Sequence, residues 1–241
     1  MTENDPKLPP GLALAWGVTP GPRRGPKPAH TVDDVVRAGI EVADADGFGA
    51  VSMPRIARHL GLTPNALYRY VRSRDELLVL LADTAWGPPP DSVAKTGNWR
   101  EAMTVWTHAF LDRLGVHPWL LDVPVRGAPS TPNLLGWAEV FLDGVADSGL
   151  SAADALGAAM LLDNYARGTA ALDRDLRQQA PPLAQPEVLE FLLPRMAERG
   201  LPVMASVYGG GGYDDAELPD ADVEFGLNRI LDGIQALVDR T

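Results

Sequence analysis

Between Ser52 and Asp75 the chain reads SMPRIARHLGLTPNALYRYVRSRD, two short helical segments about a Leu60-Gly61-Leu62 hinge, with five arginines and no acid before Asp75. Ser52 can cap the first segment, and Pro54 suits its opening turn, where no backbone donor is required. Ile56, Ala57 and Leu60 give it one apolar face. Gly61 ends it, because glycine takes the left-handed conformation that closes a helix without steric cost. Thr63 caps the second segment, Pro64 takes its first position, and Leu67 and Val71, four apart, anchor it inward. At helical periodicity Asn65, Arg69 and Arg72 then point away from the core, with Ala66, Tyr68 and Tyr70 at the margins. The pattern predicts a helix-turn-helix whose second segment turns hydrogen-bonding side chains outward.

The flanking sequence extends that unit. Residues 1–30 are rich in proline and glycine without periodicity, which predicts a flexible N-terminal arm. Its end, Arg23-Arg24-Gly25-Pro26-Lys27-Pro28, sets three cations on a stiff extended segment. That segment reads either as a solvated tail or as an arm along a DNA groove, where arginine suits a narrow minor groove. Thr31 with Asp34 three residues on predicts a capped helix start, continued by Val32, Val35, Val36, Gly39, Ile40 and Ala43 to Asp46. Ser73, followed by Asp75 and Glu76, opens a helix through Leu77, Leu78, Leu81, Ala82 and Ala85. Its apolar stripe is too long for a small DNA-binding unit alone and is expected to dock on the C-terminal half of the chain.

Gly87-Pro88-Pro89-Pro90 marks a boundary. Beyond it, helical spacing recurs over 99–116, 119–123, 133–149, 152–178, 187–199 with a kink or break at Pro194, and 221–238. Residues 200–219, with the glycine run 209–212, read as a flexible loop. No useful β alternation and no internal repeat occurs, so the expected fold is all-α. Its parts are an arm over 1–30, a helix-turn-helix unit with its linker helix over 31–86, and a second helical domain over 87–241.

A net charge of −11 argues against nucleic acid until it is divided. Residues 1–86 hold ten basic and ten acidic side chains, whereas 87–241 hold 11 and 22, which accounts for the whole excess. Because charges are screened over about 8–10 Å, the local arginines dominate at a contacting phosphate. The absence of cysteine excludes disulfides and thiolate metal sites, and no apolar run approaches the roughly 20 residues a membrane span needs. The N-terminus does not read as a signal peptide, so a cytoplasmic protein without membrane attachment is expected. His30, His59, His108 and His117 sit at no metal-ligand spacing, and no Gly-x-Ser-x-Gly elbow occurs. The glycine run lacks the Lys-Ser/Thr of a phosphate-binding loop. No catalytic residue, metal or cofactor is expected, and an all-α enzyme is the remote alternative.

AGIEVADADGFGAVSMPRIARHLGLTPNALYRYVRSRDELLVLLAD, together with its caps, resembles the N-terminal unit of the tetracycline-repressor (TetR) family. The match rests on the A-x-x-L-G-L entry, LY-x-Y-V, and the RDELL start of the next helix, over about residues 31–86. The WR…HPWLL…GL…YARG stretch beyond it looks like the C-terminal domain of actinobacterial members. The resemblance implies a homodimer that binds a pseudo-palindromic DNA operator, usually as a repressor, and that a small molecule in the C-terminal domain releases. The family's contact positions fall on Met53, Pro54, Pro64, Asn65, Ala66, Tyr68, Arg69, Tyr70 and Arg74. Met53 and Pro54 depart from the hydroxyl and basic types usual there, and Arg55, one residue on, is the candidate replacement. The DNA-contact set is thus Arg23, Arg24, Lys27, Arg55, Thr63, Asn65, Ala66, Tyr68, Arg69, Tyr70 and Arg74. Asn65 can read adenine and Arg69 guanine. Tyr68 and Tyr70 read alternatively as partial core.

A family-like effector pocket would draw on Trp106, Phe110, Trp137, Phe141, Asn164, Tyr165 and Arg167, although an aromatic stripe is more often plain core than a ligand site. The resemblance places the dimer interface on the small-residue helix 152–176 and on the last helix, 221–238; packing within the chain alone is the alternative for both. Ligand binding would then move the Ser73–Trp86 helix and change the separation of the two recognition helices. A regulator or activator that needs no ligand is the alternative within the same class.

Overall fold

The computed structural model describes residues 8–18, 29–93, 97–125, 127–178, 186–211, 218 and 220–240. Among them there is no strand. The helices are α1 (Leu12–Ala15), α2 (Val32–Asp46), α3 (Met53–His59), α4 (Pro64–Leu67), α5 (Arg74–Trp86), α6 (Trp99–Val116), α7 (Pro132–Gly144), α8 (Ala152–Gln178), α9 (Pro186–Glu198), α10 (Pro202–Gly209) and α11 (Asp220–Val238). Short 3-10 turns at Phe48–Ala50, Pro118–Asp122 and Ala146–Ser148 connect them.

Local chemistry explains the boundaries. At α2 the Thr31 hydroxyl accepts from Asp34 N–H while the Asp34 carboxylate accepts from the Thr31 backbone, a reciprocal cap. Those bonds, the backbone one foremost, hold the Asp34 carboxyl below its ordinary value. Ser73 and Asn98 cap α5 and α6 one way only, their side chains accepting from Glu76 N–H and Glu101 N–H. Gly61 has φ +67°, which lets the chain turn sharply between α3 and α4.

One continuous core joins both halves of the chain. α2, α3 and α4 pack around Val35, Ile56, Leu67 and Val71, all fully buried, and α5 closes that cluster with Leu77 and Leu81. The other end of α5 enters the second half, where α6, α7 and α8 surround Trp86 and α11 packs along α8. A clasp also ties α2 to the second half, since Asp44 accepts from Trp119 Nε1 at 2.7 Å and pairs with His117 at 2.8 Å. No helix among the described residues is long and apolar enough to cross a membrane.

Three expectations need correction. Residues 8–18 are not a structureless arm: Leu14 and Ala15 of α1 pack on the core, and Trp16 Nε1 donates to Ser130 O at 3.0 Å. Gly11, at φ +80°, allows this close approach, because a Cβ there would lie 2.8 Å from Glu76 O. Residues 202–209 form a helix and not a loop, packed against α9 with Pro202 in its first turn. Of the kink or break expected at Pro194, the break does not occur, since α9 runs through it to Glu198. Arg23, Arg24 and Lys27 lie outside the described residues.

Candidate nucleic-acid interface

The outward segment begins at Thr63, whose Oγ1 accepts from Ala66 N–H at 3.3 Å. α4 has only four helical residues, far below the roughly 12–15 at which a helix stands alone in water. Single-turn bonds prolong it, from Tyr70 N–H to Leu67 O at 2.9 Å and from Val71 N–H to Leu67 O at 3.3 Å. Its position is therefore set by burial of Leu67 and Val71, each worth about 1.5–3 kcal/mol, and not by helix propensity. Thr63, Pro64, Asn65 and Arg69 are exposed as the periodicity requires, and Tyr68 is 49% exposed. Ala66 is half-buried, and Tyr70 packs partly on the core, in line with the partial-core reading considered for it.

The five arginines of the motif divide into two groups once folded. Arg55 pairs with Asp46 at the end of α2, and the neighbouring His59 Nε2 lies 2.8 Å from Glu41 Oε2. Arg74 is exposed but lies along the fold: its Nε donates to Val51 O at 3.4 Å and its guanidinium lies 5.8 Å from the Phe48 ring centre. It thus holds the start of α5 against the α2–α3 connection. Arg58, Arg69 and Arg72 are exposed and make no ion pair with another described residue. The acids on α2 that partner Arg55 and His59 could not be found from sequence, since no local spacing connects residues 41 and 46 with 55 and 59.

Behind this face, the aromatic residues predicted to line an effector site do assemble. Trp106, Phe110, Trp137 and Phe141 are buried, with ring centres 4.8 Å apart for Trp106–Phe110 and 5.1 Å for Trp106–Phe141. They meet a fifth ring, Trp86 at the end of α5, 4.4 Å from Phe110 and 6.0 Å from Trp137. Trp137 Nε1 donates to Gly87 O and Trp106 Nε1 to Trp137 O, both at 3.0 Å. Arg167 covers the cluster, 5.4 Å from Trp86 and 5.5 Å from Phe110, while bonded to Asp163 at 2.9 Å. These rings touch one another directly. Asn164 and Tyr165 lie elsewhere, in a separate open cleft of about 370 Å³ between α8 and α11, with Leu172, Leu218 and Asp222. Tyr165 Oη donates across that junction to Val223 O at 2.6 Å. The predicted effector set therefore splits into a packed cluster and a surface cleft.

Comparison with known proteins bears on both halves. Residues 35–81 match the family model described as bacterial regulatory proteins, tetR family, and residues 92–238 match the tetracyclin repressor-like C-terminal domain. The chain belongs to the TetR family. Among curated relatives, this TetR-family chain is similar to the HTH-type transcriptional repressor DrrR1 of Streptomyces coeruleorubidus. The two are 34% identical over 235 residues, which is 94% of this chain and 85% of that one. Apo ActR of Streptomyces coelicolor superposes with a TM-score of 0.73 at 24% identity, over 89% of this chain and 99% of that one. ActR in complex with (S)-DNPA gives 0.68 at 25% identity, over 87% and 99%. The family is one of transcriptional regulators, not enzymes.

Trp86 is the member of the ring cluster that sequence reasoning missed in this regulator. It ends the leucine stripe whose docking was expected, but periodicity gave no sign that its ring would join those of α6 and α7.

Proposed function

We propose that the chain is a ligand-responsive transcriptional repressor that binds a pseudo-palindromic operator as a homodimer and leaves it when a small molecule binds residues 87–241. Residues 31–86 act as the DNA-binding domain. The observation that carries this reading is α5 itself: one end closes the helix-turn-helix core at Leu77 and Leu81, and the other places Trp86 among the rings of α6 and α7. A rearrangement of those rings can therefore tilt the surface bearing Asn65, Tyr68 and Arg69. DrrR1 is a repressor and ActR was crystallised with (S)-DNPA, and both support the same assignment.

Asn65 and Arg69 read bases, while Thr63, Ala66, Tyr68 and Tyr70 position the segment on the backbone. Arg55 joins them by exchanging Asp46 for a phosphate, and Arg74 contributes mainly by seating α5. Arg23, Arg24 and Lys27 extend the footprint. The dimer uses 152–176 and 221–238, supported by exposed Leu156, Met160, Leu161, Leu172 and Phe225 on those helices. Such a dimer sets two recognition segments about 34 Å apart, one turn of DNA.

Selection of bound duplexes from random DNA, followed by gel shift and sedimentation, tests the proposal. A palindromic consensus bound by a dimer is expected; a concentration-independent monomer, or no selected sequence, refutes it. A regulator that needs no ligand is the second reading, favoured by the direct contact of the five rings. Tryptophan fluorescence and operator release on adding (S)-DNPA as a probe would support ligand response over that reading.

A further inference from the structure

The first turn of α7 is capped from outside its own sequence. Thr131 occupies the cap position and is only 5% exposed, yet its hydroxyl finds no hydrogen-bond partner among the described residues. Asp83 of α5, 6% exposed, supplies the acceptors instead. Its Oδ1 accepts from Asn133 N–H at 3.0 Å and from Leu134 N–H at 3.4 Å, and its Oδ2 accepts from Asn133 Nδ2 at 3.0 Å. Asn133 Nδ2 also donates to the Asp83 backbone carbonyl at 2.9 Å. Just before this turn, Ser130 O receives the Trp16 indole N–H from the α1 strap, which itself packs on α5.

A carboxylate suits a helix N-terminus, where unsatisfied N–H groups and the helix dipole converge. What distinguishes Asp83 is that the helix it caps is not its own. Apolar contacts between α5 and α7 are non-directional and allow small sliding, whereas these four bonds fix rotation and axial register together. The Asp44–His117 contact, whose carboxylate is 37% exposed, lies nearer solvent and holds less firmly. Breaking the buried junction strands a carboxylate and two backbone donors away from water, so it is either fully made or fully lost. α7 then carries Trp137 and Phe141 into the ring cluster.

We propose that Asp83 is the positioning residue that makes α5 and α7 move as one body, so that the state of the ring cluster reaches the DNA-binding unit through the Asp83–Asn133 junction. The inference rests on the reading of the chain as a DNA-binding regulator and deepens it. Because coupling is reciprocal, operator binding must be felt at α7 even when no effector is known.

The test is hydrogen exchange of the full-length protein with and without its selected operator duplex, followed over residues 131–137. In the wild type, operator is expected to change exchange there at least threefold. Asp83→Asn sets two amide donors face to face and Asn133→Asp sets two carboxylates face to face, each nearly isosteric. In both variants operator affinity should stay within threefold of wild type while the α7 response is lost. A response equal to wild type in either folded variant, or a loss of affinity beyond tenfold, overturns the proposal. If neither variant folds, the wild-type measurement decides it. A wild type that binds its duplex with no α7 response removes the junction but keeps the DNA-binding reading, and one that selects no duplex removes both.

Discussion

Gly39 lies where α2, α3 and α5 converge, and replacing it with alanine sets two effects of opposite sign against each other. In a helix interior, Gly→Ala alone gains about 1 kcal/mol from lower backbone entropy in the unfolded chain. Here, however, a Cβ would lie 2.5 Å from Leu81 Cδ2, 3.1 Å from Leu81 Cδ1 and 3.3 Å from Ile56 Cδ1. Ordinary carbon contacts begin near about 3.5 Å, so the nearest Leu81 methyl must retreat by roughly 1 Å. Leu81 and Ile56 are fully buried, so any shift they make must be taken up by the surrounding core. Overpacking of this kind costs about 1–3 kcal/mol, and with three methyl groups displaced the upper half of that range applies. The expected net loss is about 1–2 kcal/mol, read as a lower urea midpoint at fixed protomer concentration, since any dimer makes stability concentration-dependent. Gly115→Ala in α6 is the control: a Cβ there meets nothing within 4 Å, and the same substitution should stabilise by about 0.5–1 kcal/mol. Adding Leu81→Ala to Gly39→Ala should cost less than the sum of the single changes. If Gly39→Ala matches or exceeds wild-type stability, the reasoning fails, and α5 is seated less tightly than its geometry requires.

Arg69→Ala should weaken selected operator by about 1–3 kcal/mol while leaving random duplex nearly unaffected, measured by parallel gel shifts; an equal loss on both would assign it to phosphate. Thr63→Ala removes the cap of a four-residue helix and should cost about 1 kcal/mol of stability in urea unfolding, with a fall in operator affinity, and no change in either would sink the capping role. Asp34 is held below its ordinary carboxyl value of 3.8, so its folded form favours ionisation. The stability it contributes is present above that value and is lost as pH falls through its lower folded pKa. Asp34→Asn should therefore differ from wild type by a constant amount above about pH 5, with the gap closing in acid; a gap independent of pH would contradict the assignment.

How far the chain could be read without its tertiary structure depended on the range of the interactions involved. The caps at Thr31, Thr63 and Ser73, the Gly61 turn and the alternation of buried Leu67 and Val71 with exposed Asn65 and Arg69 are set by neighbours within four residues and were legible. Ser52, by contrast, read as a cap, sits at the cap position without a side-chain cap bond. The gathering of Trp106, Phe110, Trp137 and Phe141 was also legible, because each lies on the apolar side of its own helix. The order within residues 8–18 and 202–209 was not, because proline and glycine there read locally as signs of disorder. The half-buried side chains of α1 and the pairing of α10 with α9 are rewarded only by surfaces outside those segments.

Sequence alone therefore determined the all-α class, the helix-turn-helix and its outward reading face, since periodicity and capping are local properties. Tertiary structure decided which of the five arginines find a partner in the fold, because the acid opposing Arg55 comes from α2 and the carbonyl bonded to Arg74 from the α2–α3 connection. It also decided that Trp86 joins the ring cluster and that Asp83 caps a helix 50 residues away. A charge or a ring has no partner until packing brings one within a few ångströms, and the spacing of residues along the chain does not encode that approach.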